Sequence, residues 1–505
     1  MNAARHIQQH SMTLRDLLNG YISDAVLSQV PALQVQQLTL NSRDVRPGTV
    51  FVAIPGLRAH GIDYAQQAIA NGASAVLWEP ISGRDVSNIS TATMIAIPDL
   101  SSVLGAIANR FYGAPSQAMR IAAVTGTNGK STTAYLIADA AQRCGIAAGY
   151  SGTVGYGLIN ALKNTTHTTP DVINVHRQLA EIRDDGAKAA GIEVSSHALH
   201  QHRINAVQID TAVFTNLTRD HLDYHGSMLA YGEAKASLFQ HPGLRHAVIN
   251  ADDVFGRELL SRSSVANVTT AFGCEMETQY SRNVNAKYVG LSVNGLQIDI
   301  TGSFGDAALK SPLLGRFNAY NLLATLAVLL GWDVSMSNAI AALEQSAAPP
   351  GRMEAHRDAS GKLVVIDYAH TPDALEKALQ ELKAYCRGKL ICMFGCGGNR
   401  DAGKRVQMGM IAERLANQII LTDDNPRYED PDQIISGIQR GIKNHNNVIV
   451  ERNRAKAIER SIHMASADDI VLIAGKGHED YQIVGDVTTH FSDREVVQSC
   501  LRGAA

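Results

Sequence analysis

The residues best suited to chemistry lie in one contiguous stretch, Val124-Thr125-Gly126-Thr127-Asn128-Gly129-Lys130-Ser131-Thr132-Thr133. An apolar run, Ile121 to Val124, leads into it, and a helical pattern, Thr132 to Cys144, leaves it and stops at Gly145. A strand, a glycine-containing turn and a helix opening on Lys-Ser gather backbone N–H groups and a positive helix end around one point, which favours a polyphosphate. Lys130 is placed to reach the outer phosphates and the Ser131 hydroxyl to ligate Mg2+. The spacing departs from the eight-residue phosphate-loop pattern, because Val124 stands where its first glycine would be; a structural turn with no nucleotide is the competing reading.

Metal-capable side chains follow. Glu193-Val194-Ser195-Ser196-His197 puts a carboxylate at a strand end beside two hydroxyls, and the segment Asn216 to His225 holds Asp220, His221, Asp223 and His225. Tyr231-Gly232-Glu233-Ala234-Lys235 runs into a helical continuation, and His167-Thr168-Thr169-Pro170-Asp171 offers hydroxyls in a turn. Singly, each reads first as a salt-bridged or hydrogen-bonded structural group. Jointly they gain weight: a phosphate loop with Mg2+ needs a second carboxylate or imidazole ligand, and Glu193 and His221 lie at or just beyond the ends of the next strands.

Those ends are defined by apolar runs at Ile121–Val124, Ala189–Val194, Thr211–Phe214 and Ala247–Ile249, each passing into polar residues, as in an open parallel sheet with one ligand-binding edge. Residues 280–309 alternate and predict an antiparallel edge or hairpin, Leu322–Trp332 reads as a buried helix, and Pro349-Pro350-Gly351 marks a linker. Beyond it, runs at Leu363–Ile366, Leu390–Phe394, Ile419–Thr422, Val448–Val450 and Ile470–Ile473 repeat the pattern. Four of their downstream loops are polar: Asp367 to Pro372, Gly395 to Asp401, Asp423 to Arg427 and Gly475 to Glu479. Four such loops on one sheet edge predict a second binding face. Before Pro115, runs near Leu38–Leu40, Gly48–Ile54, Ala75–Trp78 and Met94–Ile97 predict a small α/β domain; there Ser42 and Arg43 read first as turn formers.

Length and composition set the frame. A chain of 505 residues has room for about three cores, and 45% apolar with 18% charged residues is the balance of a globular protein. A formal net charge of -3 gives no general attraction to nucleic acid or anionic membrane, so an anionic ligand must be held by local positive groups. The six cysteines show neither C-x-x-C spacing nor a disulfide scaffold's density, which favours a reducing cytoplasm. Residues 1–10 lack the apolar core of a signal peptide, and Leu322–Trp332 is too short to span a bilayer.

Taken together, Gly126 to Thr133, Glu193 to His197, Thr215-Asn216-Leu217, Asp220 to Gly226, Tyr231 to Lys235, Gly351-Arg352-Met353-Glu354, Asp367 to Pro372 and Gly475 to Glu479 resemble, in order and over nearly the whole chain, the Mur ligases. The likeness is closest to their diaminopimelate-adding members. The resemblance implies an α/β protein of three domains: an N-terminal one holding the uridine nucleotide (1–116), a central ATPase domain of the phosphate-loop type with a mostly parallel sheet (117–348), and a Rossmann-like C-terminal domain that closes over ATP and brings the amino acid (349–505). It further implies a cytoplasmic, monomeric enzyme of peptidoglycan synthesis, with no nucleic-acid partner and no membrane insertion. That enzyme joins meso-2,6-diaminopimelate to UDP-N-acetylmuramoyl-L-alanyl-D-glutamate through an acyl phosphate, using ATP and Mg2+.

Residue by residue, the resemblance assigns ATP to Gly126, Thr127, Asn128, Gly129, Lys130, Ser131 and Thr132, with Asn318 and Asp367 near the adenosine and Arg352 at the γ-phosphate. Ser131 and Glu193 hold one Mg2+; His221 and a carbamylated Lys235 serve a second. Lys130, Glu193, His221 and Lys235 form the catalytic set. The acceptor falls to Leu40, Ser42, His167, Thr168, Thr169, Ser195, Gln201 and Arg203; His167 stands where some members have Asn, and the loop 56–61 departs from the usual uridine-binding loop. Diaminopimelate falls to Arg400, Asp424, Asn425, Pro426, Arg427, Gly475 and Glu479. It differs from lysine by a distal carboxylate, which gives a guanidinium at Arg427 its reason, while Glu479 suits the distal ammonium. The alternatives are a lysine-adding relative, a ligase like folylpolyglutamate synthetase, and a nucleotide-binding scaffold without chemistry.

Overall fold

The computed structural model describes residues 11–56, 59–82, 93–165, 167–262, 266–276, 280–358 and 361–502. Residues 1–10 and the pair Leu57 and Arg58 of the loop singled out above lie outside them. The described chain forms two compact units, one of residues 1–249 with 253–270 and one of residues 250–252 with 271–505. The fold class is α/β, built on three sheets rich in parallel strands.

In the first unit the strands Gln37–Thr39, Thr49–Ala53, Ala75–Trp78 and Thr93–Ala96 pair in parallel in chain order. Thr49–Ala53 is buried along its length, as a parallel strand covered on both faces must be. A helix, Leu100–Phe111, closes this sheet, and its side chains Leu100, Leu104 and Ile107 share a core with Val172 and Ile173 of the Val172–Asp184 helix.

Six consecutive strands of the next sheet, in this unit save for Asn250, have the order His246–Asn250, Thr211–Phe214, Arg120–Thr125, Ala189–Glu193, Ala148–Gly152, Gly155–Leu158. The first five of them run parallel where paired within this unit, and Gly155–Leu158 returns antiparallel. Residues Ile121–Val124 are completely buried, so the strand emerges from a dry core directly into the Gly126–Lys130 turn. Parallel pairing aligns Val124 with Glu193 and Thr125 with Phe214, bringing the phosphate-loop candidate, the strand-end carboxylate and residues 215–218 to one edge.

In the second unit Asn283–Ser292, Gly295–Gly302 and Ala307–Ser311 form the expected antiparallel set. The Phe317–Gly331 helix that follows buries residues on every face. The third sheet has the order Glu354–Arg357, Leu363–Asp367, Ile470–Ala474, Leu390–Phe394, Gln418–Leu421, Val448–Val450, parallel except for its first strand. The loops after Asp367, Phe394, Leu421 and Ala474 therefore share one edge. A hairpin, Tyr481–Val484 with Val487–His490, follows the last of them. Among the described residues no helix is long and apolar enough to cross a membrane, and all six cysteines are free thiols.

Candidate active site

The turn after the Arg120–Thr125 strand uses glycine where nothing else fits. Gly126 has φ 149°, and a Cβ there would lie 1.9 Å from Thr215 Oγ1; Gly129, φ 84°, opens the Lys130–Arg143 helix. The neighbouring strand end pins the turn. Thr215 Oγ1 donates to the Asn128 carbonyl at 2.6 Å, Asn128 N–H donates to Asn216 Oδ1 at 3.0 Å, and Thr127 N–H donates to the Asn216 carbonyl at 2.8 Å. Lys130 folds over this turn, its Nζ donating to the carbonyls of Gly126 and Thr127 at 2.9 and 2.8 Å, while Thr132 is buried one position into the helix beyond Ser131.

Glu193 is 2% exposed, yet its neighbours are neutral donors. Ser131 Oγ donates to Oε2 at 2.8 Å, Thr153 Oγ1 to Oε2 at 3.2 Å, and Thr153 N–H to Oε1 at 2.7 Å; the Tyr150 hydroxyl also donates to Oε1. A Cβ at Gly152 would sit 2.2 Å from Oε1, so that glycine makes room for the carboxylate. Among the described residues no cation pairs with this carboxylate, which suits it to receive one from a ligand.

Lys235 is 1% exposed; its Nζ donates to the Gly126 carbonyl at 2.7 Å and lies 4.4 Å from the centroid of Tyr231. Burial, and after it the Lys130 charge, hold its pKa well below the ordinary lysine value against the opposing pull of Asp220. The side chain is thereby biased toward a neutral, nucleophilic amine. His221 adopts φ 51°, lies edge-on to His197 with centroids 4.8 Å apart, and has Nε2 3.5 Å from Asp220 Oδ2. Among the described residues no group of three or more His, Cys, Asp or Glu side chains forms a ready-made metal cluster.

Most of the acceptor candidates gather just beyond Glu193. Thr168 Oγ1 is 3.0 Å from Thr153 Oγ1, and Thr169 Oγ1 donates to the Glu193 carbonyl at 2.8 Å and accepts from Ser195 N–H at 3.2 Å. Ser195 Oγ caps the short Ser196–His200 helix by accepting from Ala198 N–H. Arg203 donates through Nη1 to the Thr169 carbonyl at 2.7 Å and through Nη2 to Gln201 Oε1 at 2.7 Å. The His167 carbonyl accepts from Thr165 Oγ1 at 3.3 Å. Leu40 and Ser42 lie instead just beyond the Gln37–Thr39 strand of the N-terminal sheet, where Ser42 Oγ donates to Gln67 Oε1 at 2.8 Å and Ser42 opens a short 3-10 turn, as its turn-forming character predicts.

The second unit has two clusters of its own. Asp367 is the end of its strand and accepts from Met353 N–H at 2.8 Å; burial raises its pKa, opposed by Arg352 and backbone donors. The Arg352 guanidinium lies 4.8 Å from the Tyr368 ring centroid, and its Nε is buried with no hydrogen-bond partner. Asn318, 1% exposed, donates to the Leu314 carbonyl at 2.7 Å at the head of the buried helix.

The other cluster is a pouch of charges. Arg427, φ 54°, donates from Nη1 to the Gly398 carbonyl at 3.1 Å, and a Cβ on Gly397 would meet that Nη1 at 2.9 Å and Arg400 Cγ at 3.7 Å. Gly398 packs on the Pro426 carbonyl, where a Cβ would lie 1.9 Å away, and a Cβ on Gly475 would lie 3.1 Å from Asp424 Oδ2. Asn425 Nδ2 donates to Glu479 Oε2 at 3.1 Å. Burial, then Asp424, raise the Glu479 pKa, while Lys476, Asn425 and Arg427 lower it. All seven residues assigned to diaminopimelate thus converge on one edge of the third sheet. Sequence reasoning missed Tyr150 and Thr153, which hold Glu193, and Lys476 within the pouch; the glycine-rich Ala148–Gly152 strand gave little apolar signal for the first two.

Residues 34–112 match the Mur ligase family catalytic domain, 124–329 the Mur ligase middle domain, and 351–477 the Mur ligase glutamate ligase domain. A UDP-N-acetylmuramoyl-L-alanyl-D-glutamate--2,6-diaminopimelate ligase of Xanthomonas campestris is 50% identical over 96% of this chain and 97% of its own length. One of the same description from Coxiella burnetii is 44% identical over 96% of this chain and its full length. A solved structure of a ligase so described superposes with a TM-score of 0.70 at 35% identity, covering 98% of this chain and 99% of that one. With half its residues shared along almost its entire length, and each of its three sheets matched in turn, the chain belongs to the Mur ligase family.

Proposed function

We propose that this chain is an ATP-dependent amide ligase that joins meso-2,6-diaminopimelate to UDP-N-acetylmuramoyl-L-alanyl-D-glutamate, in the cytoplasm, as a monomer, during peptidoglycan synthesis. The observation that carries the reading is the pouch: Arg427 Nη1 and the stem of the Arg400 side chain flank Gly397, with Asp424 and Glu479 close by. Two guanidiniums and two carboxylates complement an amino acid with two carboxylates and two ammonium groups, whereas lysine would leave one guanidinium without a partner. Residues 1–116 hold the uridine nucleotide, with Leu40 and Ser42 among its contacts, residues 117–348 the triphosphate, and residues 349–505 the amino acid.

In this reading the Gly126–Ser131 turn receives the phosphates through its N–H groups, and Lys130 exchanges its bonds to the turn's carbonyls for the β/γ-phosphates. Asn318 and Asp367 contact the adenosine, and Arg352, whose Nε has no partner, contacts the γ-phosphate. The acceptor's D-glutamyl side-chain carboxylate, steadied by Thr168, Thr169, Ser195, Gln201 and Arg203 with His167 nearby, attacks the γ-phosphorus, and ADP leaves. The unprotonated amine of diaminopimelate then attacks the acyl phosphate carbonyl, phosphate departs, and the amide nitrogen loses a proton. Ser131 and Glu193, whose side-chain oxygens lie 2.8 Å apart, fit one Mg2+, and by the family resemblance His221 and a carbamylated Lys235 would serve a second. When bound, Mg2+ neutralises the phosphate charge that would otherwise repel the attacking carboxylate. The neutral Lys235 amine is the form that adds CO2 to give a carbamate.

The test is a phosphate-release assay with ATP and the acceptor nucleotide, comparing diaminopimelate, lysine and ornithine. Turnover with diaminopimelate and little with the others is expected; a preference for lysine overturns the assignment of Arg427.

A further inference from the structure

Resting on this reading of the pouch, we infer that Lys476 is a positioning residue for amino-acid recognition: it ties Asn425 and Glu479 to the Tyr481–Val484 strand and so fixes the loop that carries Arg427. Lys476 is 0% exposed and cannot itself meet a ligand. Its Nζ donates to the Tyr481 carbonyl at 2.7 Å and to Asn425 Oδ1 at 3.1 Å, and it lies 3.5 Å from Asp424 Oδ1 and 3.9 Å from Glu479 Oε2. Burying an ammonium is costly, and an apolar side chain of similar length fills space without that cost. What the ammonium adds is a set of links that meets at Asn425. There Oδ1 also accepts from Ile483 N–H at 3.0 Å, and Nδ2 donates to Glu479.

The hairpin is the other end of the device. Arg427 N–H donates to the Ile483 carbonyl at 3.0 Å, Gly485 N–H to the Arg427 carbonyl at 2.8 Å, and Gln482 Nε2 to the Asp424 carbonyl at 2.7 Å. These bonds hold Arg427 at φ 54°, a left-handed conformation that a non-glycine residue adopts only when its surroundings hold it there. The hairpin has little apolar anchorage of its own: Val484 and Val487 are 54% and 61% exposed, and a lone two-stranded hairpin is marginal in water. Its place therefore depends on polar links, and Lys476 makes one of them from a completely buried side chain.

The test is steady-state kinetics on the full-length protein, as wild type, Lys476→Met, Lys476→Arg and Gln482→Ala. Loss of a charged hydrogen bond predicts that Lys476→Met raises the apparent KM for diaminopimelate about tenfold or more, with KM for ATP and for the acceptor changed by less than about twofold. Lys476→Arg recovers part of the loss, and the preference for diaminopimelate over lysine narrows in Lys476→Met. A parallel rise in all three KM values, or a fall in kcat with KM for diaminopimelate unchanged, overturns the inference. If Lys476→Met does not fold, Gln482→Ala decides: a raised KM for diaminopimelate alone supports the link, and an unchanged one overturns it. Should the wild type use lysine in place of diaminopimelate, the reading of the pouch fails, and the role of Lys476 is judged by the same split in KM for lysine.

Discussion

The turn at Gly126 and the pouch around Asn425 solve opposite electrostatic problems. Around the turn, a buried carboxylate, Glu193, is surrounded by hydroxyls and a backbone N–H, and a buried amine, Lys235, faces a carbonyl and a ring. Among the described residues no protein cation pairs with the Glu193 carboxylate, and Lys235 is held toward its neutral form. In the pouch, Lys476, Asp424, Glu479 and Arg427 lie close enough to offset one another, and Arg454 and Asp493 pair behind them with no exposure. The contrast teaches that the first site is completed by charge arriving with its ligands, whereas the second is pre-organised by its own ion network.

If that contrast is right, the largest losses come from the unbalanced site. Lys235→Ala should reduce turnover by about a thousandfold or more, with partial rescue by small carboxylates that replace the carbamate; full activity without rescue would reject the carbamate. Glu193→Gln keeps an acceptor for the Ser131 and Thr153 donors but removes the charge. It should cost a similar factor in kcat with little change in Tm, and a large loss of Tm would show the carboxylate to be structural. In the pre-organised site a single removal should act on one substrate. Arg427→Ala should raise KM for diaminopimelate by about 30- to 100-fold, leaving KM for ATP near the wild-type value; an unchanged KM for the diamino acid would break the assignment.

A further effect is on stability and lies away from both sites. His176 is completely buried, with Nε2 2.9 Å from the Asn205 carbonyl, and burial lowers its pKa from 6.5 to about 4. Between those values the unfolded chain binds a proton that the folded one does not, so stability falls as pH drops from 6.5 toward 4, by about 3 kcal/mol in total. Denaturant titrations of wild type and His176→Gln should show a shallower pH slope in the variant; equal slopes would remove His176 from the account.

The same contrast explains what was legible in the sequence. The turn is a contiguous string after a wholly apolar strand, so Gly126 to Ser131, and the strand end at Glu193, could be placed from period and spacing. The supports of Glu193 could not: Tyr150 and Thr153 flank Gly152, on a strand where glycines replace the usual β-branched signal. The pouch residues come from loops 28 to 80 positions apart, and four polar loops on one edge pointed to a binding face without revealing its wiring. Lys476 sits between two glycines in a polar loop, yet it is completely buried; the hairpin behind it, whose Tyr481–His490 segment carries little apolar pattern, explains why.

On this reading both sites serve one condensation. The direct measurement is mass-spectrometric detection of the joined product alongside phosphate release, with ATP, the acceptor nucleotide and diaminopimelate together and with each omitted in turn. Equal amounts of product and phosphate, and neither when any one substrate is missing, are the predicted result. Sustained phosphate release without diaminopimelate, or release with no joined product, would contradict it.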